Sequence, residues 1–208
     1  MTEDHIITKE IIRRAKEILQ KSINQSVAHR WEHAERVWKE ALNIADEEDV
    51  VYLEVLKIAA LLHDIDHPYN KKKEHVQRSV RKARQILMEV GYPNDKLKRV
   101  LEAISTHSSE DVKAPKTIEG RILLDADKLD GVGATGIAHV LTFCGQCGMT
   151  PNQALKWYKI KIKKAAPLLQ TIKGRRLISE RLEYVSSFVK QYEKENTNQV
   201  KIDIHRKL

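Results

Sequence analysis

The chain has little of several things, and each shortage excludes a class of protein. Aromatic residues make up only 5% of its 208 residues, so the core is mostly aliphatic and base-stacking platforms are scarce. Cysteine occurs twice, at Cys144 and Cys147. A CxxC spacing with no second pair builds neither a four-cysteine zinc site nor a disulfide framework, and the pair reads as structural or incidental. No apolar run approaches the ~20 residues of a membrane span. The first residues, MTEDHIITKEIIRRAKEIL, are charged and amphipathic from the start, unlike a secretory signal. A cytoplasmic location is the expectation. No segment alternates with period two over several strands, and no internal repeat is visible.

What is present is helical. Hydrophobic residues make up 41%, enough for one soluble domain with a proper core. Apolar residues recur at helical spacing, which predicts an all-α domain of about eight helices. Glu3 to Lys21 forms the first, with Ile7, Ile11, Ala15 and Leu19 buried. Val27 to Asp46 forms the second. Asp49 is placed to cap a third, Val50 to His63. Helices over 75–90 and 94–107 follow, then one opened by Thr117 and Glu119, then Ile137 to Cys147. Pro151 sits in the first turn of the next, and Lys173 to Glu195 is the last. The expected organisation is an N-terminal helix (1–24) packed on a core (25–150), with a C-terminal helical extension and tail (151–208). The net charge of +8, from 37 basic and 29 acidic residues, favours anionic partners by steering.

The chain is organised around Ala59 to Pro68, AALLHDIDHP. A helix apolar on nearly every side ends there in His63-Asp64. Burying an imidazole and a carboxylate is costly unless something satisfies them, either a divalent cation or a hydrogen-bonded structural pair. His33 opens a stripe with Val37, Ala41 and Ile44. Asp127, in LLDADKLD, shares a face with Gly120, Leu123 and Leu124. A His, a His-Asp pair and a distant Asp on the apolar faces of separate helices can converge on one ion in a bundle. Two imidazoles and two carboxylates suit Mn, Fe, Co, Ni or Zn better than Mg or Ca.

These blocks resemble the HD superfamily of metal-dependent phosphohydrolases. The resemblance rests on His29-Arg30-Trp31-Glu32-His33 with Arg36-Val37, on His63-Asp64, on Ser105-Thr106-His107-Ser108, and on Asp125 to Asp130 followed by Gly131 to Ala138. It spans about half the chain, in the family's order, and is nearest to the small stand-alone bacterial and archaeal HD hydrolases. It implies one divalent transition metal, Mn foremost, on His33, His63, Asp64 and Asp127. It implies a phosphorylated small molecule as partner, above all a nucleoside triphosphate cut to monophosphate and pyrophosphate. Metal coordination can bring a water's pKa to as little as ~7, so no protein nucleophile is needed.

Other residues keep two readings. His29 approaches the metal site or a phosphate, or is a surface histidine at a helix start. In many relatives the next residue is Asp, and here it is Arg30. The Glu-Asp pair of the alarmone-hydrolysing branch is absent. Asp66 is the nearest carboxylate able to act as base or water-orienter, or else it caps the turn before Pro68. His75, Arg78 and Ser79 resemble the H-x-x-R-S stretch of the small HD hydrolases, where Arg78 would bind phosphate. His107 is a further candidate catalytic histidine. Lys128 is a phosphate ligand or the surface partner of Asp130. The glycines at 131, 133 and 136 follow a helix, so close packing or a bend explains them better than a phosphate loop. A competing function is a metal-retaining nucleotide- or RNA-binding regulator with little turnover. No nucleic-acid-binding motif appears, no membrane partner is expected, and a homodimer is permitted.

Overall fold

The computed structural model describes residues 3–22, 25–68, 74–108 and 114–198. Most of the basic loop expected after Pro68, and residues 199–208 of the tail, lie outside them. The described residues form nine α-helices and no strand: α1 (Glu3–Lys21), α2 (Trp31–Ala45), α3 (Leu53–Leu62), α4 (His75–Glu89), α5 (Asn94–Thr106), α6 (Ile118–Asp130), α7 (Gly133–Gln146), α8 (Pro151–Ala165) and α9 (Ile172–Asn198). None of them is long and apolar enough to cross a membrane.

The all-α expectation holds, and the nine helices correspond to the nine segments named from the sequence, against a stated total of about eight. The predicted second helix is broken: Val27–His29 is a 3₁₀ turn, and Arg30 is extended before α2 begins. His29 is therefore not one turn up the same helix as His33. α7 starts at Gly133 rather than Ile137, because Val132 is extended and Gly133 takes a left-handed φ of 85°, which costs glycine nothing. Pro151 opens α8 as expected, inside a capping box made by Thr150 and Gln153.

The predicted cap of α3 is wrong. The helix begins at Leu53, and its N-cap Tyr52 makes no side-chain cap. Instead the Tyr52 amide donates to Glu119 Oε1 of α6 at 2.9 Å, and Arg99 donates to Glu119 Oε2 at 2.9 Å. A fully buried carboxylate thus serves a helix N-terminus, where negative charge is favoured.

α3 is the middle of the bundle. Val55, Leu56, Ile58 to Leu62 and Ile65 are all buried, and α3 packs against α2, α5, α6 and α1. Its all-round apolar sequence requires this. α9 packs on α6 and α7. Asp125 of α6 accepts from the Gln170 and Thr171 amides and from Thr171 Oγ1, at 2.7–2.8 Å. Arg181 donates to the Leu129 carbonyl at 2.7 Å. The helix that carries Asp127 is held from behind by the C-terminal one.

Candidate metal centre

Four helix ends meet at one cavity. α3 runs out at His63-Asp64 because its apolar run ends there. α2 brings His33 from its first turn, α5 ends on His107, and the last turn of α6 carries Asp127. Gln25, itself buried, holds the turn after α3 in place. Its Nε2 donates to the carbonyls of Asp64 (2.8 Å) and His29 (2.7 Å), and its Oε1 accepts from the His67 amide at 3.1 Å.

His33 Nε2 lies 3.1 Å from His63 Nε2, 3.6 Å from Asp127 Oδ1 and 3.9 Å from Asp64 Oδ2. His63 Nε2 lies 3.7 Å from both of those oxygens. Donors set at right to tetrahedral angles ~2.1 Å from one ion stand roughly 3.0–3.4 Å apart, so this set needs to close by only a few tenths of an ångström.

The hydrogen bonds around it aim the donors. His33 Nδ1 donates to Asp130 Oδ2 at 2.8 Å and His63 Nδ1 to the Ala60 carbonyl at 2.8 Å. Both Nε2 atoms then present lone pairs to each other. Two lone pairs 3.1 Å apart in a buried site repel unless a cation or a proton lies between them; with the carboxylates of Asp64 and Asp127 beside them, the donor set fits a divalent metal. Outer bonds of this kind orient metal-ligating histidines. His107 is set likewise, its Nδ1 donating to the Ile104 carbonyl at 2.6 Å, and its Nε2 faces Asp64 Oδ1 at 3.4 Å. His75 Nε2 lies 4.0 Å from the same oxygen. Two further groupings have metal-ligand spacing around Asp64, one with His75 and His107 and one with His29 and His67.

The field of the site is mixed. Burial opposes charge on His63, yet Asp64 and Asp127 beside it raise the imidazole to about 9. Burial likewise works against ionising both carboxylates. His67 and His63 overcome it for Asp64, and Lys128 and His63 for Asp127, and both are held well below the usual carboxylate range. Burial and the nearby His67 push His29 well below the ordinary histidine range; its ring stacks on His67 with centroids 4.1 Å apart.

The other anticipated residues divide. His29, His75, His107 and Lys128 line the cavity, which has a volume of about 170 Å³; Asp66 and Arg78 do not. Those two face each other, Arg78 Nε lying 3.5 Å from Asp66 Oδ1. Lys128 does not pair with Asp130 at the surface. Its ammonium donates to Asp127 Oδ2 at 2.7 Å and to the His107 carbonyl at 3.1 Å. Asp130 is buried. Besides His33 it accepts from Arg36 Nε at 2.7 Å, and Arg36 also meets His139 at 2.5 Å. Burial and the neighbouring Arg36 guanidinium, against the pull of Asp130, hold His139 down at about 4. Asp130, Arg36 and His139 were missed as site residues. The i, i+3 spacings of His33 with Arg36 and of Asp127 with Asp130 are the signal that could have found the first two.

A helical bundle with this donor set defines a class, and comparison identifies it: the model of the HD domain matches residues 30–131. The chain is 31% identical over 180 residues to the uncharacterised protein YpgQ of Bacillus subtilis, covering 83% of this chain and 86% of that one. The chain therefore belongs to the HD domain family, and it is an HD-superfamily hydrolase, a metal-dependent phosphohydrolase. Among solved structures, that of Bacillus subtilis YpgQ in complex with ADP superposes with a TM-score of 0.73 at 26% identity, over 93% of this chain and 97% of that one. An HD-superfamily hydrolase of Bacillus thuringiensis gives 0.71 at 28%, over 95% and 100%. A predicted HD-superfamily hydrolase from an uncultured Thermotogales bacterium gives 0.65 at 27%, over 90% and 91%.

Proposed function

We propose that the substrate is a nucleotide, foremost a nucleoside triphosphate cut to monophosphate and pyrophosphate. His33, His63, Asp64 and Asp127 would hold one divalent ion, with Mn the first choice. The observation that carries this reading is the pair of facing Nε2 lone pairs at 3.1 Å, backed by two carboxylates and by Nδ1 bonds that leave no other tautomer. The structure of YpgQ with ADP supports a nucleotide.

An ion bound there supplies Lewis acidity toward a phosphoryl oxygen and lowers the pKa of an attacking water. The chain's own residues do the rest. Asp130 and the Ala60 carbonyl fix the two imidazoles, so the ligands are preorganised. Lys128 holds Asp127 by its outer oxygen, turning Oδ1 inward. His107 Nε2 faces Asp64 in the cavity, its Nδ1–H committed to the Ile104 carbonyl, and is better placed than Asp66 to accept a proton from a water. His29 and His67 also line the cavity, a stacked pair that can donate to phosphate oxygens. Water reaches phosphorus without a covalent enzyme intermediate.

The test is a hydrolysis screen of nucleoside mono-, di- and triphosphates and cyclic nucleotides with Mn, Co, Ni, Zn and Mg, with the products resolved. Pyrophosphate released from a triphosphate in the presence of a transition metal is the expected result. No release from any nucleotide with any metal would favour a regulatory binding module.

A further inference from the structure

α8 lies outside the stretch matched by the family model, residues 30–131, yet it closes one side of the cavity, where Lys161, Ile162 and Ala165 are wall residues. The helical repeat puts Tyr158, Ile162 and Ala165 in one stripe, and all three are buried. Lys161 falls at the edge of that stripe. α8 carries five lysines (156, 159, 161, 163 and 164); of these, Lys161 alone lines the cavity.

Two distances place its ammonium. It lies 5.4 Å from the centre of the Trp157 ring, and 3.8 Å from where a Cβ on Gly131 would stand. It is therefore at the end of α6 that carries Asp127, Lys128 and Asp130. It shares the lining of the cavity with His29 and His139.

Charge and size then say what it meets. The carboxylates of the cavity are Asp64, Asp127 and Asp130. Lys128, Lys161 and Arg36, which is bonded to Asp130, balance them one for one. A divalent ion leaves a surplus of positive charge, which suits a polyphosphate chain. A cavity of about 170 Å³ is smaller than the roughly 300–1,000 Å³ that encloses a whole drug-sized ligand. That volume takes a phosphate chain but not a whole nucleotide.

We propose that Lys161 anchors the phosphate chain at the mouth of the site, and that α8 thereby sets the preference for triphosphates over monophosphates. This rests on the nucleotide-hydrolase reading above. The competing role is structural: an ammonium resting on Trp157 and on the C-terminal end of α6, where a cation is favoured.

Calorimetry on the Mn-loaded protein separates the two, with an α,β-methylene nucleoside triphosphate and the matching monophosphate as probes. Lys161→Ala should weaken the triphosphate analogue about tenfold, the loss of one charge-assisted hydrogen bond, and the monophosphate less than twofold. Its triphosphate binding should also become less salt-dependent, and Lys161→Arg should restore most of the affinity. If both affinities stay within twofold, or fall together, the proposal is overturned, and a lowered Tm alone assigns Lys161 the structural role. If wild type hydrolyses triphosphates while Lys161→Ala binds the analogue unchanged, this inference fails alone. If wild type binds neither probe and hydrolyses no nucleotide, the reading beneath it fails too.

Discussion

His33 and His63 face each other through their Nε2 atoms at 3.1 Å, and each has its Nδ1 proton committed elsewhere. Without metal the contact is tolerable only if a proton sits between the two nitrogens, and His63, raised to about 9 by Asp64 and Asp127 against the effect of its burial, supplies it. Metal uptake must expel that proton. Mn affinity should therefore rise with pH by up to about tenfold per unit below pH ~9. Calorimetry at pH 7 in two buffers of different ionisation enthalpy should show about one proton released per ion. No proton released would mean that the ion binds elsewhere.

Asp64 offers Oδ2 to the two histidines and Oδ1 to His107. Asp64→Ala should abolish hydrolysis and strip the metal, measured by elemental analysis. Helical circular dichroism should stay largely intact, because α3 behind it packs through aliphatic side chains. Activity at a tenth of wild type or better would remove Asp64 from the ligand set.

Lys128 was expected at a phosphate or as the surface partner of Asp130; one residue on from Asp127, it is rotated by about 100° around α6. The rotation does bring it to the edge of the cavity, but two of its three N–H groups go to Asp127 and to the His107 carbonyl. Lys128→Ala should therefore weaken Mn binding as well as raise KM for a triphosphate. One charge-assisted bond to a largely buried carboxylate is worth roughly 1.5–3 kcal/mol, or about a tenfold to hundredfold change. Mn affinity and KM both within twofold of wild type would reduce Lys128 to an ion pair of no consequence for the site.

The inner residues of the site were legible because helical periodicity turns His33 and Asp127 inward, an all-round apolar helix ends in His63-Asp64, and the resemblance to the HD superfamily joins the four. The layer behind them was not. Asp130 reads as the outer end of α6 until α2 and α7 are packed over it, bringing Arg36 and His139 from 94 positions upstream and nine downstream. The cap of α3 by Glu119 spans 67 positions, while Asp49 had the right chemistry nearby. The 3₁₀ turn at His29 depends on Gln25 bridging to the His63-Asp64 turn. Local pattern carries direction within a helix; it does not carry which carboxylate from a distant helix will reach a given donor.

Gly136 ties fold to site, and its substitution tests both. It lies in the first turns of α7, and a Cβ there would collide with the carbonyl carbon and oxygen of Gly131 and come within 2.7 Å of Tyr158 Oη. Two of these atoms are backbone, so no side-chain rotation relieves the clash; α7 or the Gly131 turn must move. Gly131 follows Asp130, which holds His33, so the displacement reaches the metal site. Overpacking of this kind costs typically 1–3 kcal/mol and occasionally more, and rigid backbone partners put Gly136→Ala at the upper end. At about 2–4 °C per kcal/mol for a chain of this length, Tm should fall by roughly 6–12 °C, with Mn affinity weakened in the protein that still folds. Gly145→Ala is the control. It lies in the same helix with nothing within 4 Å of its Cβ, and alanine is favoured over glycine in a helix by up to about 1 kcal/mol, so Tm should hold or rise. Equal melting temperatures for the two variants would show that the α6–α7 junction is not packed as described, and would remove the argument that Asp130 is fixed from that side.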